Sequence, residues 1–205
     1  MNRLFYWLHK RSREKKQNLF FEYMRPAAAT RILNVGATGS STGLEMQFEA
    51  NYSWPEQITG GGPNMAELRD YRRSFPSVAA IAFDGCLLPF RDQSFDIVYS
   101  NAVIEHLTPE QQQRFAAEIQ RVGRAWFITT PNRWFAVEPH YHLPFIQFLS
   151  QERQKKVARR LRKVPYDQLD LLGREQLQRL FPTSTIIGCR VTLYAETLIA
   201  IRTSS

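Results

Sequence analysis

Four stretches of the chain carry residue types that could hold a ligand or move a proton. Ile32 to Val35 is a β-branched run that opens into the small residues Gly36, Ala37, Thr38 and Gly39. A loop of that kind lets the backbone approach a ligand while the following helix turns free N–H groups toward it. Phe83-Asp84-Gly85-Cys86 places a carboxylate at a strand end, where it selects an amine donor through a charge-assisted hydrogen bond. Asn101, Glu105 and His106 follow an apolar run from Phe95 to Ser100. Glu138, His140 and His142 lie close together, and histidine is the side chain poised to take a proton near neutral pH. His140 is the first candidate for a general base, with His142 and Glu138 next. A metal centre built from these three would need them on one face of an extended segment, and Pro139 and the lack of an outside ligand argue against it. No metal is expected.

Such loops are useful only if a scaffold brings them to one edge. Strand patterns at Arg31 to Val35, Gln57 to Thr59, Val78 to Phe83, Phe95 to Ser100 and Ala125 to Thr130 alternate with helical ones. That alternation predicts an α/β fold with a parallel, doubly wound sheet and helices on both faces. Ligands in these sheets sit outside the carboxyl ends of the strands. Gly60-Gly61-Gly62-Pro63 reads as a turn after the second strand, with a helix from about Asn64. Leu44 and Phe48 suggest a helix after the first loop. The best-marked helix has Thr108 as N-cap, Pro109 at its first position and Gln111 completing a capping box. It buries Phe115, Ile119 and Val122 and ends at Gly123. Residues 131–170 make an excursion of about forty residues, too long for a simple connection, and read as a cover over the ligand loops. Trp134, Phe135, Tyr141, Phe145 and Phe148 could wall an apolar pocket there. A basic helix at about 151–163, a last helix from Arg174 to Phe181 and strands at Thr185 to Leu193 and Thr197 to Arg202 complete the pattern.

With 205 residues, 43% of them hydrophobic, the chain fits one main domain over 25–205, preceded by a basic helical arm over 1–24 that ends before Pro26. The net charge of +8 is localised. Residues 1–16 hold six Lys/Arg against one Glu, residues 151–163 hold seven against one, and the remainder is about −3. These two segments are expected to attract an anionic substrate or a membrane surface. Without a recognised nucleic-acid-binding module, no nucleic acid is expected as partner. Cys86 and Cys189 belong to no ligand pattern, and no signal segment or membrane span stands out, so a cytoplasmic protein, at most peripheral to a membrane, is the expectation.

The run from Phe83 to Leu107, with Leu88-Pro89-Phe90 and Ser94-Phe95-Asp96-Ile97-Val98, resembles the corresponding block of class I S-adenosylmethionine-dependent methyltransferases. The resemblance continues from Arg114 to Phe145, including a Thr130-Pro131-Asn132-Arg133 and Glu138-Pro139-His140 signature, and spans about 30–145. It implies a Rossmann-like sheet, mostly parallel with an antiparallel C-terminal strand, and S-adenosyl-L-methionine as cofactor. It further implies that Asn34, Gly36, Ala37 and Thr38 face the amino-acid end of the cofactor. Asp84 would take the adenine amine with Gly85 and Cys86 beside it, and Asn101 and His106 would close the pocket. Gly61 and Gly62 stand where such enzymes carry an acidic ribose partner, and Asn34 stands in place of another acid. Asn34 can still hydrogen-bond, and Asn64 is a substitute for the missing ribose contact. Thr38 and Ser40 replace two usual glycines. The activity implied is in-line methyl transfer to a small-molecule, lipid or saccharide acceptor, in which positioning does most of the work. The alternative is a catalytically inactive binding or scaffold protein on the same fold. A nicotinamide dehydrogenase is disfavoured by the lack of a G-x-G-x-x-G run.

Overall fold

The computed structural model describes residues 3–37, 47–138, 141, 143–161, 169–191 and 195–204. Five strands, β1 (Ile32–Val35), β2 (Ile58–Gly62), β3 (Ala79–Ala82), β4 (Phe95–Asn101) and β5 (Gly123–Pro131), run parallel in the order β3-β2-β1-β4-β5. Two later strands, β8 (Thr185–Arg190) and β9 (Ala195–Arg202), extend the sheet beyond β5. β9 is antiparallel to both neighbours and lies between β5 and β8, so the antiparallel strand is inside the sheet rather than at its edge. A short hairpin, β6 (Val137–Glu138) with β7 (Leu143–Pro144), stands apart.

The sheet is covered on both faces, as the apolar runs of β1, β4 and β5 demand. On one face α3 (Pro109–Val122) and α5 (Arg174–Leu180) pack Phe115, Ile119 and Leu177 against Leu33, Val98 and Trp126. The capping box of α3 is formed as the sequence predicts, with Thr108 and Gln111 exchanging hydrogen bonds of 3.0 and 3.3 Å. Gly123 ends the helix for a different reason than expected. Its backbone is extended, and a side chain there would meet Val98 Cγ2 at 2.6 Å. Glu118 and Arg121 of α3 reach back to the segment before β4. Glu118 accepts from the Leu88 N–H at 2.6 Å, and Arg121 donates to the Leu88 and Phe90 carbonyls.

Two expectations are corrected on the other face. The segment read as an arm is α1 (Arg3–Met24), and its second half packs across the sheet. Phe20 is fully buried among Phe48, Tyr99 and Phe127, with ring centroids 4.9–5.6 Å apart in edge-on geometry. Burial of one such ring is worth about 1.5–3 kcal/mol, enough to hold the helix against the sheet despite its charge. The three glycines read as a turn are the body of β2. Gly60 is required because the Tyr71 phenol from α2 (Met65–Ser74) lies over it, and an added Cβ would stand 2.2 Å from the hydroxyl. Only a glycine at position 60 leaves that space. The helix expected near Leu44 falls partly outside the described residues, and the next element along the chain is a 3-10 turn over Glu49–Asn51.

The described residues of 132–161 and 169–172 build a small unit beyond the end of β5, with its own core of Tyr141, Ile146, Ala158, Leu169 and Leu171. It contains α4 (Gln151–Arg160), which matches the predicted basic helix over its described part. The unit is tied to the main sheet by the Asp170 N–H donating to the Glu105 carbonyl at 2.7 Å and by Gln112, which donates to the Asp170 carbonyl at 3.0 Å.

Candidate functional site

β1 ends at Val35, and Gly36 turns the chain with φ +87, a conformation costly for any residue with a Cβ. A side chain there would also strike Val103 Cγ2 at 2.2 Å. The loop is anchored to the neighbouring strand, since the Gly36 and Ala37 N–H groups both donate to the Gly61 carbonyl, at 2.8 and 3.1 Å. At the end of β4 the chain makes a second tight departure. Ala102 adopts φ +58 and donates its N–H to the Thr129 carbonyl at 3.0 Å. A left-handed non-glycine residue stores about 1–3 kcal/mol of strain, and such residues cluster where a loop serves a ligand.

Between these two strand ends and α1 lies a cavity of about 440 Å³. Asn34, Gly36, Ala37, Asn101 and His106 line it, so five of the residues singled out from sequence are brought together. The rest of the wall was not anticipated. Arg13, Lys16 and Gln17 come from α1, and Glu49 and Phe48 come from the segment after the first loop. A wider hollow of about 590 Å³ lies at the opposite, amino-terminal edge, lined by Asp96, Ala125 and Thr203, away from the strand ends where ligands bind in such sheets.

Glu49 supplies the carboxylate that the first strand lacks. It is buried, and its Oε1 accepts from Asn34 Nδ2 at 2.5 Å and from the Tyr71 hydroxyl at 2.7 Å. Burial, and after it the neighbouring carboxylate, pushes the Tyr71 hydroxyl far above its ordinary range, so it stays a donor. Space over Gly60 is what admits that hydroxyl. The glycine at position 60 and the carboxylate beside Asn34 therefore belong to one arrangement.

The opposite side of the cavity is cationic. Lys16 Nζ donates to Asn101 Oδ1 at 2.8 Å, and the Thr129 hydroxyl donates to the same oxygen at 2.9 Å. Burial, with the Arg13 guanidinium adding to it, brings the Lys16 ammonium down to about 8. The buried Glu105 stands behind this group and accepts from the Thr130 hydroxyl at 3.1 Å. A signal for Lys16 was present in the sequence. It lies one helical turn before Phe20 and one after Arg13, so the apolar stripe of α1 carries both cations onto the sheet side.

The other predicted positions fall elsewhere. Asp84 follows β3, is exposed, and turns its Oδ1 onto the Cys86 N–H at 2.8 Å. Gly85 packs under Phe115 and Val35, and the Cys86 thiol, raised to about 11 by burial and then by Asp84, points to the Gln111 carbonyl. None of these three lines the 440 Å³ cavity. Gly62 faces open space, with only Gly36 Cα within 4 Å of where a Cβ would be. Asn64, considered as a ribose partner, is engaged as the N-cap of α2, accepting from the Ala66 and Glu67 N–H groups. Thr38, His140 and His142 lie outside the described residues, and Glu138 is described only as part of β6. Among the described residues no group of three potential ligands could hold a metal ion, and no helix is long and apolar enough to cross a membrane.

Comparison with known proteins agrees with this geometry. Residues 33–125 match the family model described as a methyltransferase domain. No curated protein matches the chain. Among solved structures, a protein from Pyrococcus horikoshii OT3 superposes with a TM-score of 0.61 at 14% identity, over 92% of this chain and 87% of that one. A SAM-dependent methyltransferase from Thermotoga maritima gives 0.60 at 13% identity, over 96% and 92%. One from Methanosarcina mazei gives 0.60 at 15%, over 89% and 94%. At these identities the structures share the fold. The chain is thus similar to a methyltransferase domain over residues 33–125 and shares the fold of these solved structures.

Proposed function

We propose that the protein transfers a methyl group from S-adenosyl-L-methionine to a small-molecule, lipid or saccharide acceptor. The observation that carries this reading is the charge arrangement of the cavity at the ends of β1 and β4. Glu49 stands at its β1 side, and Arg13 and Lys16 stand at its β4 side. That pairing suits a zwitterionic amino-acid group, the ammonium toward Glu49 and the carboxylate toward the two cations. Gly62, with open space before it, leaves room for the nucleoside to pass toward Asp84. Bound there, the cofactor would supply a methyl group on a sulfonium, already a good leaving group. The protein's own task is then to hold the acceptor in line and exclude water, with a base needed only if the acceptor arrives protonated. His140 is our candidate for that base, followed by His142 and Glu138.

A second reading is favoured by one observation. β2 ends in glycines and Asn64 is spent as a helix cap, which leaves no side chain at the end of β2 to grip the ribose hydroxyls. A binding or scaffold protein with this fold would look the same there. Titration calorimetry of the full chain with S-adenosylmethionine and with its demethylated product, followed by transfer of a labelled methyl group to cell extract, separates the two. Binding with transfer supports the enzyme. Binding without transfer supports the scaffold, and no binding removes the cofactor assignment.

A further inference from the structure

The carboxyl edge of the sheet presents a surface that the cofactor reading does not use. Trp134 is 71% exposed, Phe145 61% and Phe148 46%, and Leu149 is exposed beside them. Trp134 and Phe148 touch, with ring centroids 5.6 Å apart, and Phe145, also exposed, precedes Phe148 by three residues. Phe145 holds φ +60, the left-handed region, while its ring stays in solvent. Strained backbone presenting an exposed aromatic is not explained by the packing of the fold. Directly after this patch comes α4, with Arg153, Lys155, Lys156, Arg159 and Arg160 against the single acid Glu152. Its apolar positions, Val157 and Ala158, are used in the small core, so the basic face is turned outward.

We propose that Trp134, Phe145, Phe148 and Leu149, flanked by α4, dock the protein on an anionic lipid bilayer. Aromatic side chains bordered by Lys and Arg are the composition that settles at the boundary of headgroups and acyl chains. A second copy of this chain is a poor occupant, because a symmetric contact would set two strongly basic helices against each other. The amino-terminal half of α1 strengthens the match. Lys16 meets Asn101 at the carboxyl end of β4, so the residues before it project past that same edge. There Trp7 is half-exposed with the Arg11 guanidinium 5.2 Å from its ring centroid. The end of α1 at this edge is thus also cationic and aromatic. The proposal stands independently of what the cavity binds.

The test is sedimentation of the full chain with vesicles of phosphatidylcholine alone and of phosphatidylcholine mixed equally with phosphatidylglycerol. The parent should bind the anionic vesicles, weakly or not at all the neutral ones, and release as salt rises. Lys155→Gln with Lys156→Gln should lower partitioning by roughly 25-fold, from roughly fivefold per charge near an anionic surface. Trp134→Ala with Phe148→Ala should lower it at least tenfold, with circular dichroism and melting midpoint matching the parent. Brominated acyl chains should quench the parent's fluorescence more than that of Trp134→Phe. Equal binding to both vesicle types, or quenching that is the same with and without Trp134, would overturn the proposal. So would a dimer at micromolar concentration that the aromatic variant abolishes, or retention on RNA that anionic vesicles fail to compete.

Discussion

Lys16→Met removes the ammonium from the cavity while keeping most of the stem, and the structure gives its two consequences opposite signs. A displacement from 10.5 to about 8 corresponds to about 3 kcal/mol of penalty against the charged form in the folded protein. The folded value lies below the unfolded one. Between pH 8 and 10.5 the unfolded chain therefore holds a proton that the folded chain has lost, and stability rises with pH across that window. Below pH 8 the penalty is felt in full. Without ligand at pH 7, Lys16→Met should then be more stable than the parent by about 1–3 kcal/mol, a rise of several degrees in melting midpoint. The substitution leaves no orphaned acceptor, because Thr129 still donates to Asn101 Oδ1. Cofactor affinity should move the other way. Losing a hydrogen bond between a buried ammonium and a carboxylate costs about 1.5–3 kcal/mol, or about 10- to 100-fold in Kd at pH 7. From pH 7 to pH 9 affinity should fall more steeply in the parent than in the variant, because the Lys16 ammonium deprotonates there in addition to the ligand's own amine. Differential scanning fluorimetry of the free protein and calorimetry with S-adenosylmethionine, each at three pH values, read all of this. A variant less stable than the parent at pH 7, or one with parental affinity, would refute the reasoning.

Gly60→Ala should destabilise by about 1–3 kcal/mol, since its methyl group would meet the Tyr71 hydroxyl at 2.2 Å. Gly62→Ala, with nothing closer than 3.9 Å, should melt with the parent and weaken only ligand binding, so equal melting of the two variants in a thermal scan would contradict the packing of β2. Asp84→Ala should weaken binding of the cofactor by about 1.5–3 kcal/mol if the carboxylate takes the adenine amine, and calorimetry showing parental affinity would remove it from the site. His140→Ala should cut turnover on the true acceptor by about 10²- to 10⁴-fold with cofactor affinity little changed, while near-parental turnover would take His140 out of the mechanism.

The fold was legible because its central elements obey local rules. β4 and β5 have apolar centres, Ile97 to Tyr99 and Ala125 to Ile128, and α3 announces both its ends by Thr108, Pro109 and Gly123. The first half of β2 was legible at Ile58 and Thr59, but its second half was not, because three successive glycines argue for a turn in any local reading. The reason at Gly60 is the Tyr71 ring, which arrives from the next helix and leaves no signal in the strand itself. The same holds for half of the candidate site. Asn34, Gly36, Ala37, Asn101 and His106 sit in loops that the strand pattern locates, and the cavity collects them. Glu49 lies fifteen positions beyond its partner Asn34, in a 3-10 turn that periodicity does not mark. Lys16 was hidden by composition. Charge density argues for a solvated α1, whereas one buried ring, Phe20, decides which way the helix faces.

The place of β9 inside the sheet bears on how the chain is made. This strand joins β5 to β8 and leaves the ribosome after both, so neither can be paired on that side until residues 195–202 have emerged. α1 waits as well, since Phe20 needs Phe127 beneath it and Lys15 donates to the Arg190 carbonyl at 2.6 Å. Contacts between residues this far apart in sequence carry a large loop-closure cost and form late. A nascent chain arrested before residue 195 would expose the backbone edge of β5, an arrangement open to edge-to-edge aggregation. Closure of this fold therefore waits on a strand of eight residues, Ala195–Arg202.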